Sequence, residues 1–303
     1  MSEPAAPTST VSRNVRGALW MLGSALAFTL MTTLVKFLGD DYSPALQTFY
    51  RQVAATLVLL PIMLRDPKAA FSTNRPGILL YRALVGTFSV ILAFYAYQEL
   101  PLAEANALSF TRTLWIVPLA VLVLREAIGT WRIGATLIGF GGVLLILQPT
   151  VAGHGGWPAL AALTSAALFA TTITGMKIMT RDHSVLVLTV WSAVLGLVLA
   201  IPFAILEWRW PTWPDLGLLA AMGVGGLVAQ MCYIKGMSIG DAVAMAPIDY
   251  TRLLFALVVG FVLFQDIPNP LAMAGAAIVV ASTLFITFRE ARLKLPKRPP
   301  SDQ

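Results

Sequence analysis

The stretch Ser24–Ser43, SALAFTLMTTLVKFLGDDYS, returns as Ser165–Ser184, SAALFATTITGMKIMTRDHS. At a shift of 141 residues Ser24, Phe28, Thr33, Lys36, Ser43 and Pro61 fall on Ser165, Phe169, Thr174, Lys177, Ser184 and Pro202. At a shift of 140, Phe110-Thr111-Arg112 falls on Tyr250-Thr251-Arg252, and an acid follows 14 residues after each arginine, Glu126 and Asp266. The chain is therefore two copies of one unit. Each copy divides into five apolar stretches long enough to span a bilayer. An odd number of spans forces the second copy to enter the membrane upside down. Inverted repeats of this kind build secondary transporters, with the substrate near mid-membrane between the halves.

Composition points the same way. Of the 303 residues 57% are hydrophobic and only 12% charged, about half the charged fraction of a soluble domain, and the mean hydropathy is +0.77. Apolar runs of roughly 20 residues with short breaks read as membrane helices. The alternating segments of about 10 residues that a β-barrel needs are absent. The expected architecture is all-α: ten spans at about 17–38, 45–64, 77–98, 102–124, 130–148, 157–180, 184–206, 215–238, 242–264 and 268–288. The first repeat covers 16–148 and the inverted second repeat 149–288, with a polar, disordered tail at 1–15 and a basic tail at 289–303. Arg13 and Arg16 lead directly into a full-length span, so no cleavable signal is expected. The single cysteine, Cys232, rules out an intrachain disulfide.

Charge placement sets the expected orientation. With the N-terminus inside, thirteen basic residues of the loops and tails lie on the cytoplasmic face, among them Arg65, Lys68, Arg75, Arg125, Arg181 and Lys294, and only Arg209 lies outside. That bias puts both termini in the cytoplasm. The basic tail then reads as a topology anchor on the lipid surface rather than a nucleic-acid arm. Trp20, Trp131, Trp157, Trp208, Trp210 and Trp213 fall at expected interfaces, as aromatic belts do.

Seven basic residues remain in or near the spans: Lys36, Arg51, Arg82, Arg112, Lys177, Lys235 and Arg252. Lys36, Arg82, Lys177 and Lys235 are near enough to helix ends to snorkel. Arg112 and Arg252 sit near the middle of spans four and nine at matched positions, where a cation costs about 2.5 to 3.5 kcal/mol on insertion scales. Asp249, three residues before Arg252, is a ready structural partner on the same helical face. For Arg112 no acid lies three or four residues away, so pairing across helices and contact with water both stay open. Lys36 and Lys177 each end a stripe of threonines, and in the inverted frame one faces each side of the membrane, as gate residues would.

The best candidate substrate surface lies on spans three and four with their second-copy counterparts: Tyr95, Asn106, Arg112, Trp115, Gln230, Asp249 and Tyr250. Such side chains combine apolar area with hydrogen-bonding groups, as small-molecule sites do. Pro247 is expected to free a carbonyl near Val243 just before Asp249. Glycines in span five (Gly134, Gly139, Gly141, Gly142) and Gly275 in span ten mark close helix packing, either as supports or as a dimer contact. No phosphate-binding loop, metal-ligand spacing or hydrolase motif is present, so neither an enzyme nor a cofactor is expected.

These marks resemble the drug/metabolite transporter superfamily, in particular its ten-helix EamA-type members. The resemblance rests on Tyr97 followed by Leu100-Pro101-Leu102-Ala103, Ala105, Ala107 and Leu108, then Pro118-Leu119, Arg125-Glu126 and the glycine-rich span five. The second copy carries Gly240-Asp241-Ala242-Val243-Ala244-Met245-Ala246-Pro247 and Gln265-Asp266. It implies a multi-pass protein of the bacterial inner membrane, a monomer or weak homodimer, that exports aromatic or neutral amino acids and related metabolites. Transport would proceed by rocking of helix bundles around a cavity lined by Lys36, Tyr95, Asn106, Arg112, Trp115, Lys177, Gln230, Asp249 and Tyr250. A multidrug exporter and a non-transporting membrane scaffold are the competing expectations.

Overall fold

The computed structural model describes residues 10–122, 130–146, 156–182, 184–239, 245, 248–267 and 269–294. Among these, every regular element is a helix: α1 (Thr10–Phe37), α2 (Pro44–Arg65), α3 (Pro67–Phe71), α4 (Pro76–Glu99), α5 (Leu102–Phe110), α6 (Arg112–Leu122), α7 (Thr130–Ile146), α8 (Trp157–Asp182), α9 (Val185–Leu206), α10 (Trp213–Ile239), α11 (Thr251–Phe264) and α12 (Pro270–Lys294). The segments Val15–Phe37, Pro76–Glu99, Leu186–Leu206 and Trp213–Gly236 are long and apolar enough to cross a membrane. Large apolar side chains such as Leu57, Leu137, Leu144, Ile205 and Val262 point outward. That arrangement suits a lipid surround, where apolar surface costs nothing and every backbone group is satisfied inside its own helix.

The repeat is visible in the helices themselves. The bounds of α2 and α9 differ by 141 residues at both ends. Ser43 accepts a hydrogen bond from the Leu46 amide and Ser184 from the Val187 amide, so matched serines cap matched helices. Pro61 and Pro202 occupy the same place inside them. Packing exchanges partners between the copies: α1 lies along α10 while its counterpart α8 lies along α4, and α2 meets α9 while α7 meets α12. The hydroxyl of Ser24 donates to the carbonyl of Ala229 at 2.8 Å. Its counterpart, Ser165, donates to the carbonyl of Ser89 at 2.8 Å. Phe110 and its own counterpart Tyr250 touch each other, ring centroids 4.3 Å apart. Matched residues in mutual contact lie where a pseudo-two-fold axis passes.

Three details depart from the sequence reading. α1 begins at Thr10 and α12 continues to Lys294, so both extend into the expected tails. Arg289 lies over the rings of Trp131 and Phe285, at 5.0 and 5.9 Å, which holds the last turns of α12. A short helix, α3, fills the connection after α2, started by Pro67 and by Asp66, whose carboxylate accepts from the Ala69 amide at 3.0 Å. Span four is broken at Thr111, between α5 and α6. There the Thr111 hydroxyl donates to the Leu108 carbonyl three residues back, and matched Thr251 donates to Ile248 in the same way. The backbone tightens at the same point: the Thr111 amide donates to Leu108 and the Leu114 amide to Thr111, each three residues back.

The glycines of the last helix in each copy act as packing surface. A β-carbon on Gly142 would sit 2.8 Å from the Gly275 carbonyl, and one on Gly275 would sit 2.5 Å from the Gly142 carbonyl, so α7 and α12 approach backbone to backbone. Gly134 and Gly141 meet nothing within 4 Å and face outward.

At one end of the bundle the chain between α1 and α2 is tied down by side chains. Gln47, fully buried, donates to the carbonyls of Val35 and Tyr42, and Gln98 donates to Tyr42 as well. The Tyr42 hydroxyl donates to Asp215 at 2.8 Å, and burial, with that carboxylate, holds its phenol above the ordinary range. Arg209 pairs with Asp41 at 2.9 Å across the same end.

Candidate functional site

Two adjoining cavities open between the copies. One is lined by Phe28, Met31, Phe94, Tyr97, Arg112 and Phe169, and the other by Gln52, Arg82, Thr87, Thr172, Ser192 and Gln230. Arg51, Val90 and Phe169 belong to both, so the two adjoin as lobes of one candidate site. The first lobe is aromatic, the second rich in hydroxyls and amides. Among the described residues neither lining includes an aspartate or glutamate.

The buried arginines are held in different ways. Arg112 opens α6, just past the break at Thr111, and donates to Asp249 Oδ2 at 3.2 Å across to the second copy. Arg252 Nη2 lies 3.7 Å from the same oxygen, too long for a hydrogen bond. Its guanidinium is clamped between the rings of Phe28 and Phe110, at 4.7 and 4.2 Å, and only 4% of the residue is exposed. Asp249 is thus not the private partner of Arg252 that spacing along one helix suggests. It is shared, and Arg112 holds it more closely. Ring faces supply much of what Arg252 lacks in carboxylate.

Lys36, at the end of α1, lines neither lobe. It donates to both oxygens of Asp266, at 3.0 and 2.7 Å, and to the carbonyl of Leu100 at 3.0 Å. Asp266 Oδ2 also accepts from the Leu102 amide at 3.3 Å, where a carboxylate suits the N-terminus of α5. The left-handed backbone of Gln265 (φ 54°) ends α11 and turns the chain so that Asp266 reaches this point. One ion pair therefore joins α1, the α4–α5 connection and the end of α11.

The remaining expected residues divide. Gln230 lines the polar lobe. Tyr250 lies against Phe110 and donates to the Thr283 hydroxyl, which places it beside Asp249 rather than in a lobe. Tyr95 is half-buried on α4 and lines neither lobe; its neighbour but one, Tyr97, does. Asn106 is buried within α5 and donates to the Leu102 carbonyl at 2.8 Å. Trp115 packs edge-on against Phe140 at 5.0 Å, away from both lobes. The side chain of Lys177 falls outside the described residues, as do Val243 and Pro247. Sequence reasoning passed over Arg51 and Gln52. The missing signal for Arg51 was its lack of any acid three or four residues away on its own helix. Symmetry hid it, because its position in the second copy is Ser192.

Comparison with known proteins matches the EamA-like transporter family twice, to residues 15–148 and to 156–288. An S-adenosylmethionine uptake transporter of Rickettsia prowazekii is 29% identical over 279 residues, 92% of this chain and 94% of the relative. A riboflavin transporter of Rhizobium johnstonii is 32% identical over 289 residues, 93% and 94% of the two chains. A pseudopaline exporter of Pseudomonas aeruginosa is 25% identical over 272 residues, 89% and 95% of the two chains. One solved crystal structure superposes with a TM-score of 0.63 over 93% of this chain and 99% of the other, at 18% identity, which shows a shared fold. Two family matches on the two copies, relatives that span nearly the whole chain, and an all-helical fold with lipid-facing apolar surface lead to one statement. The chain belongs to the EamA-like transporter family and is a multi-pass membrane transporter of small molecules, not an enzyme.

Proposed function

We propose that this transporter carries amino acids, aromatic and neutral ones included, and metabolites that bear an amino-acid group, across a bacterial inner membrane by alternating access. Ten spans in two inverted halves, 16–148 and 149–288, with cytoplasmic tails at 1–15 and 289–303, enclose the substrate at the two-lobed cavity. The observation that carries the reading is the lining itself. Arginines, amides and aromatic rings surround a space whose lining, among the described residues, holds no acid. A cationic drug would need a carboxylate there, so that lining disfavours a lipophilic-cation exporter. A zwitterion with a planar or apolar side chain matches it: the carboxylate to guanidinium and the side chain to the ring faces.

The relatives named for S-adenosylmethionine and riboflavin carry substrates with a planar ring, which supports the aromatic lobe as the ring's place. S-adenosylmethionine also has an amino-acid end. Names among the relatives include both uptake and export, and the reading of the site is the same for either direction. The test is uptake into liposomes of the purified protein, with labelled L-phenylalanine, L-leucine, S-adenosylmethionine and riboflavin, with and without a pH gradient. Uptake of the amino acids above empty liposomes is the expected result; uptake of S-adenosylmethionine, whose sulfonium and ammonium outweigh its one carboxylate, would show that the lining also admits a cation with an amino-acid end. Uptake of riboflavin alone would shift the substrate to neutral planar compounds, and uptake of none would contradict the reading.

A further inference from the structure

We infer that Arg51 is the residue that receives the substrate's carboxylate, at the junction of the two lobes; this rests on the transport reading above and names the group that the site selects.

Arg51 lies on α2, in the first copy, and lines both lobes. A guanidinium carries five N–H donors and cannot shed its charge. The other two arginines at the centre are accounted for: Arg112 is paired with Asp249, and Arg252 is held by Asp249 and two rings. Arg51 makes no hydrogen bond, ion pair or ring contact with any described residue. Two cations thus share one carboxylate, and the arginine left uncommitted among the described residues is the one at the junction. An unpaired guanidinium inside a bundle is expensive to keep. A ligand carboxylate accepts its two parallel N–H groups in bidentate geometry and removes that cost while it is bound.

The packing around Arg51 holds its stem and leaves its head room. On α10 a β-carbon at Gly223 would sit 2.5 Å from the Ala54 side chain and 3.2 Å from Arg51 Cα, and one at Gly226 would sit 3.2 Å from Arg51 Nε. Those two glycines, three residues apart, clear one face of α10 for the arginine. Met31 fills the other side of Gly226, its sulfur 2.8 Å from where a β-carbon would be.

The lobes on either side give the rest of the ligand its orientation. With the carboxylate on Arg51, an apolar or aromatic side chain extends among Phe28, Phe94, Tyr97 and Phe169. The ammonium meets the side-chain oxygens of Gln52 and Gln230, and Arg82 in the same lobe is turned to the Ser192 hydroxyl. Because the second copy places Ser192 where the first has Arg51, the pseudo-symmetry is broken at this point. The other arginines of the lining are engaged, Arg112 with Asp249 and Arg82 with the Ser192 hydroxyl, which leaves the anionic end of a ligand to Arg51.

The test compares L-phenylalanine with L-phenylalaninamide, which differs from it only at the carboxylate. Wild type and R51Q and R51K variants are measured in liposomes by uptake and in detergent by ligand-induced thermal stabilisation. Wild type should prefer the acid. R51Q should raise the KM for L-phenylalanine about ten- to hundredfold, the loss of a charge-assisted hydrogen-bonded contact, and should no longer discriminate the acid from the amide. R51K, which keeps the charge without the fork, should fall between them. R51Q that still prefers the acid as wild type does would overturn the assignment while leaving amino-acid transport standing. Wild type that transports amino acids without distinguishing acid from amide would overturn it too. If R51Q does not fold, R51K and the wild-type acid-to-amide ratio decide. If wild type moves no amino acid and neither compound stabilises it in detergent, the transport reading and the assignment both fall.

Discussion

Lys36 at the end of α1 donates to both carboxylate oxygens of Asp266, 230 residues further along the chain and in the other copy. Both side chains are largely shielded, at 13% and 16% exposure, and a third contact to the Leu100 carbonyl fixes the ammonium in place. Loss of either partner leaves the other charge in a poor environment. K36A and D266N are each expected to lower the apparent melting temperature in detergent. The double variant should lose less than the sum, with a coupling of about 1 to 3 kcal/mol. Additive losses would mean that the pair is geometry without energetic consequence. K36A should also slow transport at wild-type protein levels, since the pair ties three elements of both copies at one end of the bundle.

Asp249 should be the most sensitive single acid in the chain. It faces Arg112 at 3.2 Å and Arg252 at 3.7 Å, so D249N leaves two buried guanidinium groups without a carboxylate. The expected loss is about 3 to 5 kcal/mol. It should be read as a fall in melting temperature and in folded protein recovered from membranes. R112Q in the D249N background should recover part of that loss. If D249N is as stable as wild type, the arginines find their compensation elsewhere.

Much of the fold was legible before any coordinates. The serine caps and internal prolines of α2 and α9 are written at one spacing, and so their bounds repeat at that spacing. The break at Thr111 is not legible, because threonine is common in membrane helices and the same i−3 hydroxyl bond is made by Thr32, Thr171 and Thr283 inside unbroken ones. Pairing across the copies was the other blind spot. Asp266 is a matched acid in the sequence, yet its partner Lys36 is fixed by the meeting of α1 with the end of α11, a tertiary fact. Arg51 is hidden by the same repeat that decides the fold, since its match in the second copy is a serine.

The two serine contacts offer a direct test of the pseudo-symmetry. Ser24 and Ser165 donate across equivalent helix pairs at the same 2.8 Å. Both are buried. S24A and S165A should each cost about 1 kcal/mol, and by similar amounts when melting is followed by tryptophan fluorescence. A large difference between them would mean that the two helix pairs are not energetically equivalent.

Glycines of α7 separate packing from propensity. G142A would push a methyl group against the Gly275 carbonyl and Ile278, whereas G141A meets nothing within 4 Å. G142A should destabilise by about 1 to 3 kcal/mol as an overpacked contact. G141A should be neutral or stabilising by up to about 1 kcal/mol, the gain in helix propensity. Equal melting temperatures for the two variants would contradict the close α7–α12 approach.

The central claim is that two inverted halves expose one site to each side of the membrane in turn, and counterflow tests it most directly. Liposomes carrying the protein are loaded with unlabelled L-phenylalanine and diluted into a trace of the labelled compound. An alternating site should drive label inward to a transient peak well above its equilibrium level, followed by slow decay. A simple rise to equilibrium at a rate indifferent to the internal load would mean a pore. No entry above protein-free liposomes would mean that these halves do not carry this class of solute.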